Sequence, residues 1–149
     1  MFIKEIMTQA LKTVTPETGM QEVASLMCLN RFSGLPVVEG DNKLVGIIAE
    51  RDVLRYLFPS IKDIMQGMSS LDFESMESDY KKILPLKVAD LMIPNVLTVS
   101  PDLPILKAVS VMARNNFRRI PVADGGKLVG MVSLGDIHRA IFMKSFSAS

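Results

Sequence analysis

The sequence predicts a mixed α/β fold built from two copies of one β-α-β-β-α unit. Two observations carry this prediction. A segment of about 50 residues that begins at Ile6 occurs again from Leu91. Each copy also alternates short apolar runs, typical of strands, with stretches whose apolar residues have helical spacing. Because the copies are alike, we expect them to be related by a pseudo-two-fold axis, with equivalent faces meeting.

Matching residues set the register of the repeat. Pro36 and Pro121 are 85 positions apart, whereas Gly46 and Gly130 are 84 positions apart. A deletion of one residue in the intervening turn of the second copy accounts for the change. The repeat divides the chain into three predicted parts. These are a first repeat over residues 1–58, a helical linker over 59–86 and a second repeat over 87–149.

Each copy is predicted to open with a short strand, Leu11–Val14 or Leu97–Val99. A hydroxyl residue, a proline and an acid follow, as Thr15-Pro16-Glu17 and as Ser100-Pro101-Asp102. That order is typical of a helix N-terminus, because the hydroxyl caps, proline tolerates the first position and the acid favours the first turn. The apolar residues that then recur at helical spacing are Met20, Val23, Ala24 and Met27, and Ile105, Ala108, Val109 and Met112.

The later elements are predicted in the same order in both copies. Asn30 and Asn115 are placed at helix ends, since Asn tolerates left-handed backbone. The remaining predicted elements are the second strands (Leu35–Val38 and Ile120–Ala123), the turns (residues 40–42 and 124–126) and the third strands (Lys43–Ala49 and Lys127–Ser133). A last helix is expected to start near Asp52 and near Asp136.

Residues 60–86 have no counterpart within the repeat. Their apolar residues form two predicted helical stripes, Ile61, Ile64, Met65 and Met68, and Met76, Tyr80, Ile83 and Leu84. The segment is either a linker that packs on the outside of the repeats or a docking surface for a partner or a second copy.

Composition excludes several classes of protein. Seventeen basic and sixteen acidic residues give a net charge of +1, which provides no general attraction to nucleic acid or anionic membranes. No apolar run approaches the roughly 18 residues that a membrane span needs, and the start lacks a signal-peptide pattern. One Cys and one His permit no internal disulfide and no Cys/His metal cluster. We therefore expect a cytoplasmic protein with no nucleic-acid partner, no membrane insertion and no metal.

The order of short motifs resembles the cystathionine-β-synthase (CBS) domain family. Both copies have a hydrophobic residue followed by Met, a TVTP or TVSP segment, an apolar-Pro-Val strand, KLVG, and an Asp six residues after that Gly. The resemblance implies that the two repeats pack through their sheets and bind AMP, ADP, ATP or another adenosyl compound in the cleft between them. It also implies a homodimer that regulates an enzyme or transporter in trans.

The resemblance places ribose recognition in the pattern Gly-hydrophobic-x-Ser/Thr-x-x-Asp. The second copy has the full pattern, with Ser133 and Asp136. An ionised carboxylate can accept strong hydrogen bonds from two neighbouring hydroxyls. The alternative role for Asp136 is to cap the last helix. The first copy keeps Asp52 but has Ala49 in place of the hydroxyl, so a ligand there would lose one polar contact.

The resemblance also supplies candidates for phosphate and adenine. The phosphate candidates are Arg119 and Arg118, which precede a strand, and Arg139 and Arg55, which lie one helical turn after each Asp. The alternative for each arginine is an ordinary solvated surface position. In the first copy, Ser33 and Gly34 stand at the positions of Arg118 and Arg119, so the second site is favoured. The adenine candidates are Thr98, Val99, Ser100 and Ile120.

No catalytic residues are predicted. His138 has no carboxylate or Cys at a motif spacing, and the glycines match no phosphate-loop or dinucleotide fingerprint. The expected function is that of a stand-alone, non-enzymatic regulatory module with no obligatory cofactor, whose ligand is an adenine nucleotide or other adenosyl compound. The alternative is a structural dimerisation or scaffold module with an empty ligand site.

Overall fold

The structure, a computed structural model, describes residues 1–58 and 71–147 of the chain. The chain divides into two compact units, which are not continuous in sequence. The first-repeat unit contains Thr13–Val38 and Val45–Pro94, and the second-repeat unit contains Met1–Lys12, Glu39–Leu44 and Asn95–Ser149. The opening segment of each repeat therefore packs with the body of the other copy. The predicted stripe of Ile61, Ile64, Met65 and Met68 lies outside the described residues.

The described residues form six α-helices and five strands, together with short 3₁₀ helices at Ile3–Glu5 and Asp79–Lys82. The helices are α1 (Met20–Asn30), α2 (Glu50–Arg55), α3 (Phe73–Ser78), α4 (Val88–Leu91), α5 (Ile105–Asn115) and α6 (Leu134–Ser147). The strands are β1 (Gly34–Glu39), β2 (Lys43–Ala49), β3 (Ile93–Pro94), β4 (Arg119–Asp124) and β5 (Lys127–Ser133). The mixed α/β fold of repeated units is as predicted.

In the first-repeat unit, β1 is hydrogen-bonded to β2, and β3 pairs with β2 in antiparallel register. Val14 forms a parallel bridge with Val37 of β1. The core of this unit consists of Val14, Met20, Val23, Met27, Leu35, Val37, Ile48, Val53, Ile83 and Val88. The apolar face predicted for α1 therefore points into this core.

In the second-repeat unit, β4 and β5 are antiparallel, and Val99 forms a parallel bridge with Val122 of β4. On β5, Met131 pairs with Thr8 and Lys127 pairs with Lys43. The core consists of Ile3, Val99, Ile105, Ala108, Met112, Ile120, Val122, Val132 and Ile137. The same pattern of pairing thus builds both units.

The predicted strands are found, with one difference. The third strands have the predicted bounds, and the second strands are slightly longer than predicted. The opening strands, however, are reduced to single bridges at Val14 and Val99. The N–H and the carbonyl of each of these valines bond the neighbouring strand. The proline two residues later has no N–H group with which to continue the pairing.

The predicted helix starts at Thr15 and Ser100 are wrong, because both segments form turns. Thr18 N–H donates to the Thr15 carbonyl (3.1 Å), and Leu103 N–H donates to the Ser100 carbonyl (3.1 Å). The helices begin later, at Met20 and Ile105. The reason is tertiary, because carbonyls of each turn accept hydrogen bonds from the opening segment of the other repeat.

Those hydrogen bonds are equivalent in the two units. Ile3 N–H donates to the Leu103 carbonyl (2.9 Å), and Val88 N–H donates to the Thr18 carbonyl (2.9 Å). The next residue of each segment bonds to a proline carbonyl in the same turn, also at 2.9 Å. The side chains of Ile3 and Val88 are fully buried. Each opening segment is therefore part of the core of the unit on which it lies.

Two glycines allow this packing. A Cβ added at Gly46 would lie 2.8 Å from the Ile93 carbonyl oxygen, and one at Gly130 would lie 2.7 Å from Met7 Sδ and 3.1 Å from the Thr8 carbonyl oxygen. Glycine is required where another backbone approaches a strand this closely. The glycine of the repeated pattern therefore serves the contact with an opening segment of the chain.

Two smaller predictions are corrected. Asn30 and Asn115 are the last helical residues, and the left-handed conformation is adopted one residue later, by Arg31 and Asn116. Cys28, which follows the core residue Met27 in α1, is exposed.

The described part of the linker packs in the first-repeat unit. Ile83 is buried in its core, and Tyr80 packs against that core. Partial burial raises the pKa of the Tyr80 hydroxyl, because the phenolate would be less well solvated.

We expect alanine at Gly46 or Gly130 to destabilise the protein by about 1–3 kcal/mol, since the new methyl group must displace the opening segment. Gly46→Ala should destabilise the protein more than Gly130→Ala. The atom nearest to the new methyl group is a backbone oxygen at Gly46, whereas at Gly130 it belongs to a methionine side chain, which can move more easily. Urea unfolding measures both effects. Gly135→Ala in α6 is the control, because a Cβ there meets nothing nearer than 3.7 Å. Equal stability of all three variants would contradict the close-packing explanation.

Candidate functional site

The N-terminus of α6 is closed by a reciprocal pair of hydrogen bonds between Ser133 and Asp136. Asp136 N–H donates to Ser133 Oγ (3.0 Å), and Ser133 N–H donates to Asp136 Oδ2 (2.9 Å). This is a capping box, in which the residue before the helix and the third helical residue satisfy each other's backbone. Ser133 is therefore the N-cap of α6. The alternative prediction was that Asp136 itself caps this helix, whereas the structure has Ser133 as the cap and Asp136 as its partner in the capping box.

The capping box leaves part of both side chains available for other partners. Asp136 Oδ1 lies 3.6 Å from an Arg139 guanidinium nitrogen, and the carboxylate side chain is 25% exposed. A carboxylate has about four acceptor positions, and a hydroxyl that accepts a hydrogen bond keeps its own hydrogen to donate. The arrangement can therefore accept hydrogen bonds from vicinal hydroxyls through Asp136 and donate one through Ser133.

The backbone of two further arginines lies beside this pair. Arg119, the first residue of β4, is directly opposite Ser133 in the register of the sheet. The carbonyl of Arg118 accepts a hydrogen bond from Leu134 N–H (3.0 Å), and both arginines are exposed. The second-repeat unit thus brings together Ser133, Asp136 and the backbone of two arginines, which the resemblance to the CBS family named as candidates from separate segments.

The four adenine candidates are placed differently from one another. Val99 and Ile120 are core residues, and both backbone groups of Val99 pair with β4. Thr98 is half-buried and Ser100 is exposed, with Ser100 Oγ accepting from Asp102 N–H (3.2 Å). The two polar candidates therefore flank a buried residue, whose side chain supports the sheet.

The corresponding site in the first-repeat unit contains half of a capping box. Ala49 N–H donates to Asp52 Oδ2 (2.8 Å), and Ala49 has no hydroxyl to return the bond. Asp52 is only 7% exposed, and its Oδ1 is buried with no hydrogen-bond partner among the described residues. An unpaired buried carboxylate oxygen is costly for the folded state.

Asp52 also lines a pocket of about 200 Å³ within the first-repeat unit. The other lining residues are Arg55 and Tyr56 of α2 and Asp90, Leu91 and Ile93. Sequence reasoning found Asp52 and Arg55 but missed Tyr56 and Asp90. Asp90 lies in the opening segment of the second repeat, and no signal in the sequence showed that this segment packs on the first copy.

Metal and membrane sites are not found in the described part of the chain. Residues 1–58 and 71–147 contain no group of three or more His, Cys, Asp or Glu side chains arranged to hold a metal ion. Within the same ranges, none of the helices combines the length and the apolar character needed to cross a bilayer. His138 is exposed on α6.

Comparison with known proteins decides the family. The CBS domain model matches residues 3–59 and 88–143, which are most of the chain. The chain belongs to the CBS-domain family. The two matches correspond to the two repeats, so this is a CBS pair.

Relatives of this CBS pair include archaeal and plant proteins. An uncharacterized protein of Methanocaldococcus jannaschii is 35% identical over 95% of this chain and 91% of its own length. The crystal structure of the CBS-pair protein CBSX2 from Arabidopsis thaliana is 27% identical, with a TM-score of 0.79 over 99% of this chain and 98% of that one. A second structure, of CBSX2 in complex with AMP, is 26% identical, with a TM-score of 0.74 over 97% and 98% of the two chains.

Both aspartates should stabilise the ligand-free CBS pair, and Asp52 should contribute more. Asp136→Asn should lower stability by about 0.5–1 kcal/mol, since a charged cap near a helix N-terminus is lost. Asp52→Asn should lower it by about 1–3 kcal/mol, because the amide nitrogen would be buried at the position of Oδ1 and would lose its hydrogen bonds to water. Urea unfolding of the two variants beside the native protein measures both changes. A smaller loss in Asp52→Asn than in Asp136→Asn would contradict the difference in burial between the two side chains.

Proposed function

We propose that this CBS pair is a non-catalytic regulatory module that binds an adenine nucleotide at the Ser133–Asp136 site. Ribose hydroxyls donate to the Asp136 carboxylate and accept from the Ser133 hydroxyl. The phosphate is held by Arg119 and Arg118, whose planar guanidinium groups suit phosphate oxygens. Arg139 is a further phosphate candidate, since it already lies beside the carboxylate. Thr98 and Ser100 supply polar groups for the base.

The observation that carries the proposal is the clustering of an exposed carboxylate edge, a hydroxyl and arginines at one helix N-terminus. Within residues 1–58 and 71–147, the partner of Asp136 Oδ1 is Arg139, through a long, solvent-exposed contact of 3.6 Å. An exposed ion pair of this kind contributes little to stability, so ligand hydroxyls can replace it at small cost. The AMP complex of the related protein CBSX2 supports the same class of ligand.

The scaffold alternative also has an observation in its favour. The capping box occupies Ser133 Oγ and Asp136 Oδ2 without any ligand, so both residues have a structural reason to be present. In that case the site would be empty, and the arginines would be ordinary surface residues.

Thermal unfolding in the presence of AMP separates the two functions. A ligand that binds only the folded state stabilises it by about 2.7 kcal/mol at a hundredfold excess over its Kd. For a chain of this size we expect a rise in Tm of about 5–10 °C. Asp136→Asn should remove most of this rise, because the ribose hydroxyls lose a charged acceptor.

The control is Asp124→Asn, an exposed acid at the end of β4 in the same unit, which should keep the full AMP-dependent rise. Absence of a rise with AMP, ADP, ATP and S-adenosylmethionine would refute the nucleotide proposal and favour the scaffold. An equal rise in the native protein and in Asp136→Asn would place the ligand elsewhere.

The same proposal has three further parts. The CBS pair forms a homodimer, it is cytoplasmic, and it regulates a target enzyme or transporter in trans. The end of α6 supports a protein contact, since Phe142, Met143 and Phe146 are all exposed there. Clustered exposed apolar side chains are typical of interaction surfaces. Regulation then requires that the ligand favour one state of the assembly over another.

A further inference from the structure

We propose that Met7 is a site of reversible oxidation, at which conversion of the thioether to a sulfoxide releases the opening segment of the first repeat from the second-repeat unit. That segment, Met1–Thr8, lies within the part of the chain that belongs to the second-repeat unit. The oxidant is a hydroperoxide. The inference concerns the ligand-free protein and is independent of nucleotide binding.

The side chain of Met7 fills a space left by a missing side chain in β5. A Cβ added at Gly130 would lie 2.7 Å from Met7 Sδ and 2.9 Å from Met7 Cγ. Atoms that are not bonded to each other do not pack this closely, so the thioether occupies the position where a side chain at residue 130 would stand. Met7 also packs against the core of the second-repeat unit. The face of the sulfur towards Gly130 therefore has no room for a further atom.

Oxidation adds an atom and a dipole at this contact. The sulfur attacks the outer oxygen of the hydroperoxide and gives up two electrons, and the O–O bond breaks. The proton of the transferred oxygen passes to the leaving oxygen, so that an alcohol or water is released. The product has a polar, chiral sulfoxide in place of a flexible apolar group. Because burial of a polar group without a hydrogen-bond partner is unfavourable, the docked segment loses stability relative to the released segment, in which water solvates the sulfoxide.

Met7 lies where an oxidant can reach it more easily than the methionines of the two cores. Its side chain is half-buried at the edge of the core of the second-repeat unit. By contrast, Met20 and Met112 are fully buried and Met27 is 4% exposed. We therefore expect Met7 to react before these three residues.

The opening segment is held on the second-repeat unit by a small number of pairings. These include two isolated bridges, Phe2 with Pro104 and Thr8 with Met131. Segments with few pairings open locally more often than core elements do. Thr8 and Met131 exchange two hydrogen bonds of 2.9 Å, and Met131 lies two residues before Ser133 on β5. Release of the segment therefore removes a constraint from the strand that leads into the candidate site.

The first-repeat unit has the equivalent contact. Met92 is 85 positions after Met7, and its Sδ would lie 2.9 Å from a Cβ added at Gly46. The two residues directly after Met92 form β3, which pairs with β2 at consecutive positions. The segment around Met92 is therefore held more firmly, and Met7 is the more sensitive of the two methionines. The contact also explains why a methionine stands at the start of both copies of the repeated pattern.

Hydrogen exchange of the ligand-free protein before and after treatment with hydrogen peroxide tests this inference. The starting protein is Met92→Leu, which lacks the equivalent methionine. Peptide mass spectrometry should find a sulfoxide at Met7. Exchange at the amides of Ile3 and Lys4, which bond to carbonyls of the second-repeat unit, should become about tenfold faster. Exchange at Val14, whose N–H is paired within the first-repeat unit, should not change, and methionine sulfoxide reductases should restore the slow exchange.

Further variants in the same background control for the other methionines. Met7→Leu keeps an apolar side chain of similar volume without the sulfur, so peroxide should leave exchange at Ile3 and Lys4 within about twofold of the untreated rate. Met7→Gln places a polar group at the contact without any oxidant and should reproduce the fast exchange. Met143→Gln is the matched control for this change, because Met143 is 61% exposed on α6, and it should leave the exchange slow.

Three results would overturn the inference. They are slow exchange despite oxidation of Met7, equally fast exchange in the peroxide-treated Met7→Leu variant, and a Met7 that stays unoxidised while Met143 is converted completely to the sulfoxide. Each result concerns this contact alone and leaves the AMP-dependent rise in Tm untouched. The inference and the proposed function therefore fail separately.

Discussion

The structure depends on the docking of each opening segment onto the body of the other copy. Backbone N–H groups of the segment bond to carbonyls of the turn that follows Val14 or Val99, and a fully buried side chain, Ile3 or Val88, enters the core. Glycine in the neighbouring strand leaves space for the segment at both places. Since backbone groups that are buried must be paired, neither the turn nor the segment is complete alone. This reciprocal contact explains why the compact units are not the two halves of the sequence.

The same contact shapes both candidate sites. In the first-repeat unit it brings Asp90 and Ile93 to the pocket that Asp52 lines. In the second-repeat unit it pairs Thr8 with Met131, two residues before Ser133 on β5. The end of the third strand is thereby held at both units, and the helix that follows begins at a defined place. The aspartate three residues later is then positioned by its bond to the backbone of the strand.

The two units have equivalent backbone arrangements, and the side chains on them make the two sites chemically different. Ser133 completes a capping box where Ala49 cannot, and arginines stand at positions that Ser33 and Gly34 occupy in the first copy. One carboxylate is partly exposed beside a cation, whereas the other is buried, and one of its oxygens has no hydrogen-bond partner among the described residues. A repeated backbone thus carries two unlike electrostatic environments.

The sequence by itself determined the repeat, the third strands to the residue and the apolar face of α1. These follow from patterns within the chain, since side-chain periodicity and strand register are set by neighbouring residues. The grouping of Ser133, Asp136 and Arg119 was implied by the resemblance to the CBS family. Only the tertiary structure decided that Thr15-Pro16-Glu17 is a turn and that Gly130 faces a backbone. It also showed that Val99 and Ile120 belong to the core. It alone placed Asp90 beside Asp52. Each of these depends on residues far away in the sequence, such as Thr8 beside Gly130 and Asp90 beside Asp52, and contacts of this kind leave no periodic signal in the sequence around either partner.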